Sequence, residues 1–347
     1  MKKIILSLTF IFFAFSSFAV SLEDFSLSVE PLFGMKYGQI DEYVFAQNAN
    51  FSDDKLSELN WEIKPEFYYG FKLNGGWKQF FANTRLSFGI PKNTGLMIDS
   101  DWHNTSPSEV SAEKAAGHDY KTAYSEHDNH LDYDLNFGFK LGYDFSVKEK
   151  YKILPAFAFD YSNIKFTAKN GYGKYGYGTD KTFKTKNGYY AQYQDTENQY
   201  RVSYNGMRIA TYNRITYFFW LGSDFSADLP KNFEVNTGFF FTPYIYAVSY
   251  DRHLTRSIDF ADLTIGFFGA FKWNLGATYN ITPKHSVSLN AEYLYMRVLR
   301  GKDYFKQASS NTYKESSEAD GGAGVKYFNL RFPINLKSYS RMDFCFE

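Results

Sequence analysis

The chain has 347 residues, with 38 Lys and Arg against 38 Asp and Glu, a balance that gives no electrostatic footprint for a nucleic-acid partner. Its one cysteine, Cys345, cannot close an internal disulfide, so the fold must hold without that staple. Aromatic residues make up 21% of the chain, with 37 Phe and 30 Tyr, yet no run of 18 apolar residues follows the N-terminal segment, which excludes a transmembrane helix.

The chain opens "MKKIILSLTFIFFAFSSFAVS". Lys2 and Lys3 precede the apolar Ile4–Phe18 stretch, and Ala19 or Ser21 offers a small-residue cut. That is the layout of a secretory signal peptide over 1–21, with an uncleaved anchor as the alternative. Cleavage leaves 36 basic against 38 acidic residues, a net charge of −2. Residues 22–347 read as one domain.

Next comes alternation. In "LDYDLNFGFKLGYDF", 131–145, the odd positions from Leu131 to Phe145 are all apolar or aromatic, and the even ones are polar or glycine. Successive side chains of a strand point to opposite faces, so this segment has one greasy face and one wet face. Ile265–Ile281 repeats the pattern, with Phe268 an exception; Phe67–Leu73 and Tyr217–Leu221 are weaker cases. Runs this long exceed the roughly 5–6 residues of an ordinary strand. They suit a bilayer crossing, which takes about 9–11 tilted residues, with the excess projecting beyond it.

Ten strands are expected, near 25–40, 57–73, 77–90, 130–146, 151–168, 207–227, 233–249, 263–281, 286–301 and 323–340. Short connectors at Asn74–Gly76, Ser146–Lys150, Asp228–Asn232 and Thr282–Lys284 alternate with long ones near 41–56, 91–129, 169–206, 250–262 and 302–322. Hydrocarbon tolerates no unpaired backbone group, so strands cross it only as a closed barrel; even strand number, short periplasmic turns and long outer loops are its signature. The fold class is therefore all-β, a ten-stranded antiparallel transmembrane barrel. An aromatic-rich soluble sandwich is the rival.

Two polar pairs leave the lipid zone at the loop-bearing rim. Asp99 and Asp101 follow the third strand, at the start of the longest loop, and Asp251 and His253 follow the seventh. Both have i, i+2 spacing, which puts each pair on one side of an extended chain. A carboxylate beside an imidazole orients it and favours the imidazolium. A histidine so held can take a proton from water, while an opposing carboxylate grips the same water. Two close carboxylates resist ionising together. Such a set would activate water to attack a carbonyl with no covalent intermediate. Each pair also has a plain reading as solvated loop polarity. His103, His118, His127 and His130 crowd the same loop, but their spacing fits no metal-ligand pattern, and no cofactor is implied. No Gly-x-Ser-x-Gly, phosphate-loop or His-Glu-x-x-His motif occurs.

Several stretches together resemble the omptin family of outer-membrane endopeptidases: "KLSELNWEI" at 55–63, "GLMIDSDWHN" at 95–104 with "LDYDLNF" at 131–137, and "DRH" at 251–253. "FTAKNG" at 166–171 and "GAG" at 322–324 are weaker matches. The resemblance implies a ten-stranded barrel in the bacterial outer membrane, a monomer with its active site on the extracellular side. It implies an aspartic-type endopeptidase acting on peptides or proteins outside the cell, cutting next to basic residues. Asp251 and His253 would be the dyad that activates water; Asp99 would hold that water, with Asp101 supporting it. Glu42 matches one of two acids lining the family's pocket for a basic side chain, and Ser249 stands where the second is expected. Tyr161 and Asn163 stand where the family carries its lipopolysaccharide-binding charges, so dependence on that lipid is not expected from this sequence. The tail "RMDFCFE" runs past the family's aromatic end, with Phe346 penultimate. A non-catalytic surface adhesin, or a small channel, of the same architecture is the alternative.

Overall fold

The computed structural model describes residues 25–45, 55–102, 112, 120–148, 150–176, 190–194, 199–282, 285–315 and 323–339. The expected signal peptide, His103, His118 and the tail with Cys345 and Phe346 lie outside them. Among the described residues fifteen strands form one antiparallel sheet. They are β1 (Phe25–Phe45), β2 (Lys55–Trp77), β3 (Phe80–Gly89), β4 (Lys92–Asp101), β5 (Ala123–Tyr143), β6 (Phe145–Lys148), β7 (Tyr151–Tyr175), β8 (Tyr200–Ser203), β9 (Arg208–Leu229), β10 (Phe233–His253), β11 (Ile258–Gly266), β12 (Ala270–Thr282), β13 (His285–Gln307), β14 (Lys314–Glu315) and β15 (Ala323–Tyr339). β3 and β4 lie end to end between β2 and β5, as β11 and β12 do between β10 and β13. β15 pairs with β1, so the ladder returns to its start and closes as a barrel. Closure leaves no unpaired edge.

The strands run further toward the long-loop end than the hydrophobic pattern marks. β4 carries the third expected strand on to Asp101, and β10 continues to His253, so both polar pairs sit on the wall and not in loops. The pattern missed these ends because hydrophobicity marks only a wall that touches lipid. Above it, backbone pairing alone keeps the strand going. At the other end Asn74–Gly76 lies within β2; the turn falls at Lys78 and Gln79, with Lys78 at φ 53°.

One face expectation also changes. The alternation puts Leu131 on the same face as Tyr133–Phe145, but a register shift between Leu131 and Tyr133 inserts an extra residue and turns Leu131 into the lumen, where it is fully buried. The later members behave as the alternation demands, with Tyr133, Phe137 and Leu141 exposed on the outer wall.

The lumen has three storeys. Near the short turns a polar cavity of ≈ 540 Å³ is lined by Lys72, Arg85, Lys140, Asp160, Asp224 and Glu292 among others. Above it an apolar plug draws on most of the wall: Ile40, Trp61, Ile63, Met97, Leu131, Phe166, Tyr212, Phe218, Trp220, Phe240, Ile245 and Met296. Trp61 stacks on Tyr212 at 5.1 Å and on Phe166 at 5.9 Å, bridging strands from different sides of the barrel. Each buried side chain of this size contributes about 1.5–3 kcal/mol. The plug is the floor of the third storey, which holds the polar pairs.

Candidate active site

Asp99 and Asp101 continue the inward row of Met97 on β4. Asp99 stands opposite Leu59 of β2, just above Trp61. A bulge between Asn93 and Leu96 introduces this row. It needs Gly95, whose φ of +117° an L side chain rarely adopts, and the Leu96 amide there donates to Glu62 Oε2 at 3.1 Å.

Ser249, Asp251 and His253 form the inward row at the top of β10, while Tyr250 and Arg252 point out. Asp251 Oδ2 lies 2.5 Å from His253 Nε2, and the ring sits edge-on to Phe260 at 5.3 Å. The other ring nitrogen, Nδ1, accepts a hydrogen bond of 2.5 Å from Arg256 Nη2. Those two contacts fit one neutral tautomer, in which Nε2–H donates to Asp251 and Nδ1 is the acceptor.

The two rows lie across the barrel mouth from each other, with β5, β7 and β9 between them along the wall. They are near enough to feel one another's charge. Burial and then the neighbouring Asp101 push the Asp99 carboxyl up to about 7, Arg256 and His253 pull it down, and Asp251 adds to the rise. For His253, burial alone would lower the pKa, but the charge and hydrogen bond of Asp251 overcome it and the value is raised. Two titratable groups on facing walls of one mouth are thus both raised, Asp99 to about 7 and His253 above its ordinary value.

Glu42, at the top of β1, is almost wholly buried. Burial, the charge of Asp262, a hydrogen bond shared with it, and the charges of Asp251 and Asp303 hold its carboxyl well above the usual range. Ser249 is buried too; its Oγ lies 3.0 Å from the Tyr212 hydroxyl and 3.4 Å from Arg214 Nη1. Asp262, Asp303, Arg214 and Arg256 had no place in the sequence reading. Asp262 and Asp303 fell in segments read as loops. Continuing the alternation of the following strand puts Asp262 on the inner face, but no such extension finds Asp303, because a bulge between Met296 and Leu299 switches the inward positions of β13 from even to odd.

The histidines split. His127 is buried, with Nδ1 2.6 Å from Asn170 O and Nε2 2.9 Å from Ser125 Oγ, and its burial lowers its pKa. His130 Nδ1 lies 2.9 Å from Asn93 Oδ1 on the exposed side. Among the described residues no group of three or more His, Cys, Asp or Glu is arranged to hold a metal ion.

The Omptin family profile matches residues 23–339. The chain is 25% identical over 316 residues to the plasminogen activator of Yersinia pestis, covering 90% of this chain and 89% of that one. Its fold is similar to that of the outer membrane protease OmpT from Escherichia coli, with a TM-score of 0.72 at 17% identity, covering 91% of this chain and 97% of that one.

Proposed function

Starting from the fact that this chain belongs to the omptin family, we propose that it is a surface endopeptidase, with an Asp–His dyad and a facing aspartate pair that activate water. Its place is the bacterial outer membrane. With β3 and β4 counted as one stave, β11 and β12 as another, β6 as an extension of β5, and the short β8 and β14 set aside as additions at the outer ends of β7 and β13, ten staves cross the bilayer, their aromatic outer faces against lipid and the polar pairs above it.

In this reading Asp251 fixes the His253 ring, and Nδ1 of His253 takes the proton of the attacking water. Arg256 must then give up its hold on that nitrogen when water and substrate enter. Asp99, once ionised, accepts the water's second hydrogen bond and aims it at the scissile carbonyl; Asp101 keeps Asp99 poised near neutrality. Proton transfer from His253 to the leaving amine completes hydrolysis without an acyl-enzyme. The observation that carries this reading is that two sequence-distant i, i+2 pairs occupy facing inner walls, with the imidazole bonded to one carboxylate and in the field of another. The apolar plug across the lumen does not favour a channel.

The test is to incubate the refolded barrel with a fluorogenic peptide library, with and without outer-membrane lipid, and map the cuts by mass. The lipid arm matters because Tyr161 and Asn163 are neutral. Asn163 Oδ1 accepts from Asn213 at 2.8 Å, and the Tyr161 ring lies 5.3 Å from Tyr217. Cleavage that disappears in Asp251→Ala and His253→Ala while both barrels stay folded supports the proposal. Full activity in either variant, or no cleavage under any condition, sinks it; retained binding of proteins without turnover points to an adhesin.

A further inference from the structure

A third i, i+2 pair lies on the inner wall beside the aspartates. Ser125 and His127 of β5 both point inward, and both are almost wholly buried. Ser125 is the register partner of Asp99 on β4, so the two side chains stand next to each other on one face, with Cβ atoms about 4.5–5.5 Å apart. His127 Nδ1 lies 2.6 Å from the main-chain oxygen of Asn170, and Nε2 lies 2.9 Å from Ser125 Oγ. The Asn170 carbonyl reaches the ring from a bulge, where the β5–β7 register shifts between Glu126 and Asp128 and where Asn170 and Gly171 both take positive φ, 55° and 91°. A Cβ at Gly171 would stand 1.8 Å from the Glu126 oxygen, so only glycine fits there.

These contacts fix where the protons sit. A carbonyl only accepts, so Nδ1 carries the hydrogen. Nε2 of the neutral ring is then the acceptor, and the Ser125 hydroxyl donates to it. The ring stays neutral because burial lowers its pKa, outweighing the charges of Glu126 and Asp128, and the Tyr204 ring packs on it at 5.3 Å. Ser125 thus has its one proton spent and only lone pairs left for Asp99. Among the described residues Asp99 Oδ1 is buried without a hydrogen-bond partner, although a hydroxyl stands on the adjacent strand. Buried acceptors left open are costly, and proteins keep few of them. The other charged groups facing Asp99 are Asp101 on its own strand and, across the mouth, Asp251, His253 and Arg256; Leu59, opposite on β2, does not titrate.

We propose that Ser125, locked by His127, is a positioning residue for Asp99: it withholds its proton from the carboxyl and so keeps an Asp99 oxygen open for the hydrogen of the attacking water. The use of the device rests on the endopeptidase reading, but the device itself can be probed without turnover. A free serine hydroxyl beside Asp99 would donate to the carboxylate, fill its open lone pair and make it a weaker acceptor for water. It would also favour the ionised form and draw the titration of Asp99 down toward the ordinary carboxylate range. The imidazole prevents both by taking the serine proton, and the Asn170 carbonyl holds the imidazole in the tautomer that can take it.

The experiment has two arms on the full-length barrel in detergent. In the first, the Asp99 carboxyl is titrated by carbon-13 NMR of aspartate-labelled protein, its signal assigned with Asp99→Asn. His127→Leu frees the Ser125 hydroxyl, so the Asp99 midpoint should fall by about one to two pH units, the worth of a hydrogen bond to a charged group. In His127→Leu combined with Ser125→Ala no donor remains, and the midpoint should return to within about half a unit of wild type. His127→Gln, whose amide can donate to Asn170 and accept from Ser125, should titrate as wild type does. If the leucine variant does not insert, His127→Asn, too short to reach Ser125, carries the same test. In the second arm kcat/KM is read at pH 6, where a fall of one unit from about 7 raises the ionised fraction of Asp99 about fivefold, and the rate should follow. An unmoved midpoint in His127→Leu, an equal shift in the double variant, or a glutamine variant that behaves as leucine overturns the proposal. A midpoint that moves as expected while cleavage at pH 6 stays unchanged upholds the serine–histidine device and overturns the role of Asp99 in the protease.

Discussion

The two ends of the barrel lumen handle buried charge in opposite ways. Toward the short turns, acids stand beside bases. Lys36 contacts Glu66 at 2.8 Å and also Asp134; Lys272 bonds Asp160 at 2.6 Å; Arg85 bridges Asp160 and Glu292 at 3.6 and 3.3 Å; Lys140 meets Asp224 at 2.5 Å. Lys140 and Lys272 also lie over the Phe240 and Trp220 rings, at 4.7 and 4.8 Å. Beyond the apolar plug, Glu42, Asp99, Asp251 and Asp303 each keep a buried carboxylate oxygen that no described residue partners. The lower acids each have a Lys or Arg within ion-pair distance, which holds staves in register, although Glu66 and Asp134 there also keep carboxylate oxygens with no hydrogen-bond partner. Buried acids without such a cation cost more stability, which a fold bears where the charge is used. Under the proposed function, that difference separates a structural network from the catalytic site inside one lumen.

Several experiments would break or sharpen this comparison. The largest effect is expected on the working side. His253→Ala, Asp251→Ala and Asp99→Ala should each lower kcat/KM by about 10²–10⁴-fold, the worth of a positioned general base. Their melting temperatures should stay near wild type, and a large loss of stability would erase the distinction between the two ends. On the structural side, Lys36→Met strands Glu66 and Asp134, and removing one partner of a buried ion pair costs about 3–5 kcal/mol. The denaturant midpoint should drop accordingly, while the folded fraction keeps its kcat/KM.

Smaller effects follow from protonation. In the proposed mechanism His253 is neutral and Asp99 ionised, so the rising limb of the pH–activity profile should fall no lower than the Asp99 value of about 7, with the raised His253 pKa acting in the same direction. Asp101→Asn removes a like charge from Asp99 and should move that limb to lower pH. The same shift has a stability sign. Folded Asp99 keeps its proton up to about 7, whereas unfolded it loses it near about 3.9. The folded state therefore binds the extra proton between those values, and stability falls as pH rises across the window. The raised His253 acts in the same direction, its contribution lost as pH passes its folded pKa. Melting in detergent should decline from pH 4 to pH 7 less steeply for Asp99→Asn than for wild type. The smallest shift is expected from Arg256→Gln. Its charge lowers the pKa of both His253 and Asp99, so its loss should move the activity limb modestly to higher pH.

Local pattern by itself determined the class of wall and most of its staves. Tyr133, Phe137 and Leu141 alternate outward because a strand has a period of two and lipid admits only apolar side chains. The polar pairs at 99/101 and 251/253 were legible as same-face pairs for the same reason, and Glu42 and Ser249 through a resemblance. The bulge that turns Leu131 inward was not legible, because one inserted residue depends on the partner strand and leaves no mark in composition. Only the closed barrel decided that β4 faces β10 across the mouth, that Arg256 reaches His253 Nδ1, and that Asp262 and Asp303 fall in line with Ser249. Those are relations between strands, fixed by register and closure. A chain read one residue after another carries the side chains but not the row in which they stand.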